Sequence, residues 1–250
     1  FLKKAATKER TFYGSLAMAS LGYKYKPNFD LPSYDNNFIN KILKHKGGIR
    51  ALALIEVNEF HKAAREFRKI IPKFDVKDYP QLLSFTSKNN MPGLTFRLAA
   101  ILRNDYNKIL LGGLYPVPSW NIDTLDLKDK ALLYAIARQE SGFNPRAKSS
   151  SKAMGVLQII PSTAAFIMKN REYRLRRSKN HLLYNPPHNI AIGSKYIKFL
   201  FSLPIVNNDL MWVLASYNAG PGNFEKWTKH RNYKNKDTLL MLESLPARET

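Results

Sequence analysis

The sequence contains no cysteine, which excludes both a disulfide framework and a Cys-ligated metal site. Negative charge is scarce: 19 Asp and Glu stand against 40 Lys and Arg, for a formal net charge of +21 at pH 7. No run of about 18 uncharged apolar residues occurs, so no membrane-spanning helix is expected. Long stretches of period-2 alternation are missing too, which argues against an extended sheet. What the chain does have is packing material. Apolar residues make up 44% and aromatics 12% of its 250 residues, enough to offset chain entropy and exclude a disordered basic tail. That length allows one or two domains. The first residues are Phe1-Leu2-Lys3, without Met, so a processed product or an excised piece of a longer chain is expected, in which a leader peptide would not be visible.

The surplus of cations favours an anionic polymer as partner: nucleic acid, an anionic membrane surface or an acidic glycan. Residues 1–115 hold 20 basic and 9 acidic residues and residues 116–250 hold 20 and 10, so the excess is spread evenly rather than gathered in a tail. The one dense cluster is Lys169, Arg171, Arg174, Arg176, Arg177 and Lys179, diluted by Glu172. It reads equally as a solvated face or as a polyanion contact. No recognised nucleic-acid motif accompanies the charge, which makes nucleic acid the weakest of the three partners.

The apolar periodicity is helical throughout, and the fold class expected is predominantly all-α. In the first part an apolar stretch opens after Gly47-Gly48, breaks at Asn58-Glu59 and resumes from Phe60 to Pro72. A second pair turns at Asn89-Asn90-Met91-Pro92. The two turns lie 32 residues apart, close to the period of stacked helical hairpins. The segment Gly112-Gly113-Leu114-Tyr115-Pro116-Val117-Pro118 breaks helix by composition and places the domain boundary at residues 115/116. Beyond it, helical patterns at 129–141, 186–203 and 208–218 alternate with loops rich in Ser, Asn, Pro and Gly.

Within the second part, Leu133, Ile136, Ala137 and Glu140 fall at offsets 0, 3, 4 and 7, which puts a carboxylate on an apolar helical stripe. Ser141-Gly142-Phe143-Asn144-Pro145 then ends the helix. A glutamate at the C-terminal end of a buried face gains nothing from the helix dipole and loses water; both effects raise its pKa. An acid kept protonated near neutral pH can donate to a glycosidic oxygen. The same residue also reads as an ordinary helix-end Glu paired with Arg138 or Lys148. The nearest other acids in sequence are Glu172 ahead and Asp129 and Asp126 behind. An ordinary glycosidase needs two carboxylates roughly 5 to 9.5 Å apart, and nothing adjacent supplies the second. A one-carboxylate mechanism, in which the substrate provides its own nucleophile, is the economical reading.

Two further motifs are weak alone. Gly155-Val156-Leu157-Gln158-Ile159-Ile160-Pro161 is an apolar run carrying one amide, and Ala215-Ser216-Tyr217-Asn218-Ala219-Gly220-Pro221-Gly222 ends a helix in a Gly-Pro-Gly turn. Each also has a purely structural reading, as a core segment and as a helix C-cap.

In this order and spacing, Glu140-Ser141, Gly155-Val156-Leu157-Gln158 and Tyr217-Asn218-Ala219-Gly220 resemble the catalytic domain of the soluble lytic murein transglycosylase family. Similarity is dense at 131–151, 155–164, 189–196 and 215–227. Glu243-Ser244-Leu245-Pro246 and Arg248-Glu249-Thr250 resemble that family's closing motif, and Phe12-Tyr13-Gly14-Ser15-Leu16-Ala17 the opening of the helical linker domain of its larger members. The resemblance implies a superhelical linker domain over 1–115 and a lysozyme-like catalytic domain over 116–250. It implies cleavage of the β-1,4 bond between N-acetylmuramic acid and N-acetylglucosamine in peptidoglycan, with a 1,6-anhydro ring left on the muramic acid. Glu140 would act as acid and then base. Ser149, Gln158, Ile160, Tyr217, Asn218 and Glu249 would contact the glycan, with Tyr217 also able to support Glu140. No metal or cofactor is implied. The partner would be peptidoglycan glycan strands rather than nucleic acid or membrane, and the address periplasmic. Gly155-Val156-Leu157-Gln158 departs from the family's Gly-Leu-Met-Gln by a change that cores tolerate. The family motif also continues past the position of Thr250, and the larger relatives carry a ring of helices largely missing here. Two other readings stay open on sequence: a muramidase that uses water, and a basic helical module that binds glycan without cleaving it.

Overall fold

Asn58 (φ 58°) and Asn90 (φ 51°) take the left-handed backbone conformation that asparagine tolerates better than most residues. Each closes a helical hairpin, as the turn signals predict. The computed structural model describes residues 1–122, 125–175, 179–230 and 238, and among these it is all-α. The extended pairings among them are isolated antiparallel bridges, Lys148 with Met154 and Met154 with Ile159. The chain divides into two units, Phe1–Pro118 and Ser119–Thr250.

The first unit runs through α1 (Leu2–Ala6), α2 (Phe12–Ser20), α3 (Asn36–Leu43), α4 (Lys46–Glu56), α5 (Phe60–Ile70), α6 (Tyr79–Lys88), α7 (Pro92–Tyr106) and α8 (Leu111–Leu114). Starts are chemically marked. Thr11 and Asp35 accept the amides of Gly14 and Phe38 and so cap α2 and α3, and proline opens α6 and α7 where a missing N–H is harmless. The core gathers Phe38, Phe67, Leu82, Leu83, Leu94 and Leu98, all essentially without solvent contact. Each such side chain contributes roughly 1.5–3 kcal/mol through burial. The ring of Phe85 packs at a tilt against those of Phe67 and Phe38, with centroids 5.4 and 6.3 Å away.

Gly47-Gly48 does not act as the helix breaker its composition suggests. Both residues lie inside the first turn of α4. Packing explains their presence: a Cβ on Gly48 would stand 2.1 Å from the Ile42 carbonyl oxygen, and one on Gly47 would press on Ile70 at 2.9 Å.

The second unit contains α9 (Leu127–Ser141), α10 (Pro161–Ile167), α11 (Pro186–Phe201), α12 (Leu210–Ala219) and α13 (Pro221–His230). Asp126 caps α9, Asn185 caps α11 and Asp209 caps α12. Asn189, Ile190, Ile192, Gly193, Tyr196, Ile197 and Leu200 are all buried on α11, which makes it the unit's central element. Gly193 lets Leu157 settle against this helix, since a Cβ there would fall 2.2 Å from Leu157 Cδ1. In the basic cluster, Lys179 bridges Glu172 at 2.6 Å while Arg171 and Arg174 are exposed; Arg176 and Arg177 lie outside the described residues. Among the described residues no helix is long and apolar enough to cross a membrane.

His188, in the first turn of α11, stacks on the buried ring of Tyr173 and shares a 2.8 Å hydrogen bond with its hydroxyl. Burial pushes the imidazole below its ordinary value. The unfolded chain therefore takes up the proton first as pH falls, and the stabilisation present above about pH 6.5 declines as pH drops toward the folded-state value. Thermal melts between pH 7 and 5 should show a falling midpoint for the second unit, flattened in His188→Gln. An identical slope in that variant would assign the effect to other groups.

Candidate active site

α9 delivers Glu140 one residue before the helix ends. Leu133, Ile136 and Ala137 are 1, 6 and 0% exposed, so the stripe anticipated from their spacing is buried, and Glu140 continues it half-buried. The ending is built by Gly142 (φ 55°) and Phe143 (φ 61°), both left-handed. The amide of Gly142 donates to Arg138 O and that of Phe143 to Ala137 O, a C-cap that satisfies the last carbonyls of the helix. Left-handed backbone is costly for a bulky residue. Here it is held by burial of the Phe143 ring, 2% exposed and 6.3 Å from the ring of Trp120.

The segment 154–159 forms the opposing part of the site. Gly155 (φ 78°) and Gln158 (φ 47°) are left-handed, and Met154 and Ile159 close the turn by exchanging backbone hydrogen bonds of 3.0 and 3.1 Å. Only glycine fits at 155: besides the positive φ, a Cβ would lie 2.0 Å from the Leu183 carbonyl oxygen. Two side chains from distant parts of the chain grip successive carbonyls of this turn. Ser141 Oγ donates to Val156 O at 2.8 Å, and Tyr217 Oη donates to Leu157 O at 2.7 Å. The turn is therefore tied both to the end of α9, beside Glu140, and to α12.

Asn189 fixes the same turn from below. Fully buried, it accepts the Leu157 amide through Oδ1 at 2.9 Å and donates through Nδ2 to Met154 O at 3.0 Å and Leu183 O at 2.9 Å. Sequence reasoning gave this residue no role. Its signal was an amide on an apolar stripe with Gly193, Tyr196 and Leu200, since a buried polar group must be hydrogen-bonded.

Tyr217 also senses Glu140 electrically. Burial pushes its phenol well above the ordinary value, and the Glu140 carboxylate and the Tyr196 ring, 5.4 Å from that of Tyr217, push it the same way. A tyrosine so held is neutral at any physiological pH and serves as a hydrogen-bond donor.

The remaining candidates are distributed unevenly. Gln158 sits in the turn with its amide folded back, donating from Nε2 to Gly155 O at 2.8 Å. Ser149 Oγ accepts the Ala153 amide at 3.0 Å and closes the loop that leads into the turn. Ile160, 40% exposed, stands at the start of α10. Asn218 is exposed near the end of α12. Glu249 lies outside the described residues.

The other described carboxylates of this unit are committed elsewhere. Asp126 caps α9, Asp129 bridges Lys198 at 3.6 Å, Glu172 bridges Lys179, Asp209 caps α12 and Glu225 bridges Lys229. Asp129 stands eleven residues before Glu140 on the same helix, roughly 16 Å along its axis, beyond the separation a carboxylate pair uses. Among the described residues no cluster of three or more His, Asp or Glu could hold a metal.

Residues 126–240 match the transglycosylase SLT domain family. Over 116 residues the chain is 37% identical to soluble lytic murein transglycosylase of Salmonella typhimurium and equally to that of Escherichia coli K12, in each case 46% of this chain against 17% of the relative. The matched segment thus covers about one sixth of the length of these curated relatives. Its fold is that of the 70 kDa soluble lytic transglycosylase from Escherichia coli, with a TM-score of 0.76 and 24% identity over 98% of this chain and 39% of that one. Over residues 126–240, then, the chain is similar to transglycosylase SLT domains.

Proposed function

We propose that this chain cleaves the β-1,4 bond between N-acetylmuramic acid and N-acetylglucosamine in peptidoglycan without consuming water. The observation that carries the reading is Glu140 at the end of a buried helical stripe, acting on a neutral Tyr217 that is itself bonded to the 154–159 turn. Glu140 gives its proton to the departing oxygen of N-acetylglucosamine. The C6 hydroxyl of the muramic acid then bonds to its own anomeric carbon and returns a proton to Glu140. One bond breaks, one forms, and the acid is regenerated. The acetamido group of the same sugar steadies the anomeric centre, which fits the commitment of the other described carboxylates to caps and ion pairs. Because the attacking hydroxyl is already tethered to the reacting sugar, much of the entropic barrier is absent.

In this reading Ser149, Gln158, Ile160 and Asn218 line the glycan, and Glu249 orients a sugar. Residues 1–115 act as the helical linker domain and 116–250 as the catalytic one. The surplus cations hold a wall whose stem peptides carry carboxylates, and that substrate implies a periplasmic address. Mass spectrometry of fragments released from sacculi tests the chemistry. Products one water lighter than hydrolysed muropeptides are expected; fragments with free reducing ends would identify a muramidase instead.

A further inference from the structure

A cavity of about 440 Å³ opens in the first unit, far in sequence from Glu140, lined by Lys44, His45, Lys46, Arg50, Lys69 and Lys73 over a floor of Gly47 and Ile70. The carboxylate of Glu66 faces this lining. It accepts from Arg50 Nε and Nη2 at 2.9 and 2.7 Å and from Lys69, and these bonds hold it below the usual carboxylate range. Glu66 thus stays ionised and occupies Arg50 and Lys69. Lys44, Lys46 and Lys73 are left with no carboxylate partner among the described residues. The cavity also receives the start of α4, an eleven-residue helix without an acidic residue in its first turn and without a side-chain cap. The amides of Gly48 and Ile49 return to the His45 carbonyl, whereas those of Lys46 and Gly47 have no acceptor among the described residues. An unbalanced concavity of this kind concentrates anions.

We infer that this cavity is a binding site for phosphoryl oxygens, built from Lys44, Lys46 and Lys73. The donors left open decide the chemistry. The planar fork of Arg50, which would read a carboxylate in two-point fashion, is already taken by Glu66. Ammonium groups are compact, rotatable charges that suit a tetrahedral oxyanion approached from several sides, and the open amides at a helix start add directed donors. A phosphate free in solution and one carried on a lipid headgroup present the same oxygens to this site.

Calorimetric titration of the full chain with inorganic pyrophosphate at low salt tests the site, with citrate as the carboxylate comparison and phosphatidylglycerol-in-phosphatidylcholine vesicles as the headgroup arm. Saturable one-to-one binding of pyrophosphate, or binding to the vesicles, is expected, with citrate at least about tenfold weaker than pyrophosphate in solution. Lys46→Gln/Lys73→Gln should weaken binding at least about tenfold, and Lys24→Gln/Lys26→Gln, which removes the same charge from exposed positions outside the lining, by no more than about twofold. Melting curves confirm that both variants fold. Pyrophosphate binding without vesicle binding assigns a soluble phosphate, and vesicle binding alone a headgroup. Absence of both, equal losses in the two variants, or citrate binding as tightly as pyrophosphate overturns the inference.

Discussion

Replacing Glu140 by Gln is expected to lower the rate of glycan cleavage by about 10²- to 10⁴-fold, the range that positioned proton transfer supplies. Gln keeps the volume and hydrogen-bonding capacity of the side chain and removes only the transferable proton. Retention on insoluble peptidoglycan should therefore stay within about twofold of the parent, because charge and shape elsewhere are untouched. Release of soluble muropeptides measures the first quantity and a pull-down on sacculi the second. A variant that retained more than a tenth of the parent rate would take Glu140 out of the mechanism. Loss of binding together with turnover would instead point to a glycan-holding role, as in a non-cleaving basic module.

The second large effect is expected at Asn189. Truncation to Ala strands the Leu157 amide and the carbonyls of Met154 and Leu183 in a region closed to solvent. Each unsatisfied group costs about 1–3 kcal/mol, so a loss of roughly 3–5 kcal/mol in the stability of the second unit is expected. At about 2–4 °C per kcal/mol, the thermal midpoint of that unit should fall on the order of 10 °C. Activity should fall with it, since the turn that Asn189 secures is the one Ser141 and Tyr217 hold. A shift smaller than about 3 °C would mean that water substitutes for the amide at little cost.

Local chemistry made parts of this architecture readable in advance. Asn58 and Asn90 mark their hairpins because asparagine accepts left-handed backbone, and Gly142 ends α9 because capping is a property of adjacent residues, whereas the Asp126 cap starts that helix two residues before the 129–141 pattern. The stripe leading to Glu140 follows from helical period alone. Gly47-Gly48 was misleading because their role is set by Ile42 and Ile70, whose approach a local reading of the glycines does not reveal. The grip on the 154–159 turn was hidden for the same reason. Its partners stand 15, 32 and 60 residues from the backbone groups they hold, and nothing in the spacing of Ser141, Asn189 or Tyr217 states which carbonyl or amide each will meet. Gln158 was visible as an amide in an apolar run, but not the left-handed backbone that turns its side chain onto Gly155.

That Val156 and Leu157 are held by their main-chain oxygens, while their side chains face the interior with no solvent contact, separates two duties within one short stretch. In the proposed reaction, placement of the reacting groups depends on peptide atoms that every amino acid possesses; the aliphatic portions serve only to fill space. Exchanging these two residues for other hydrocarbons of matching bulk should accordingly be chemically silent, so the chain can drift at both positions without renegotiating its reaction.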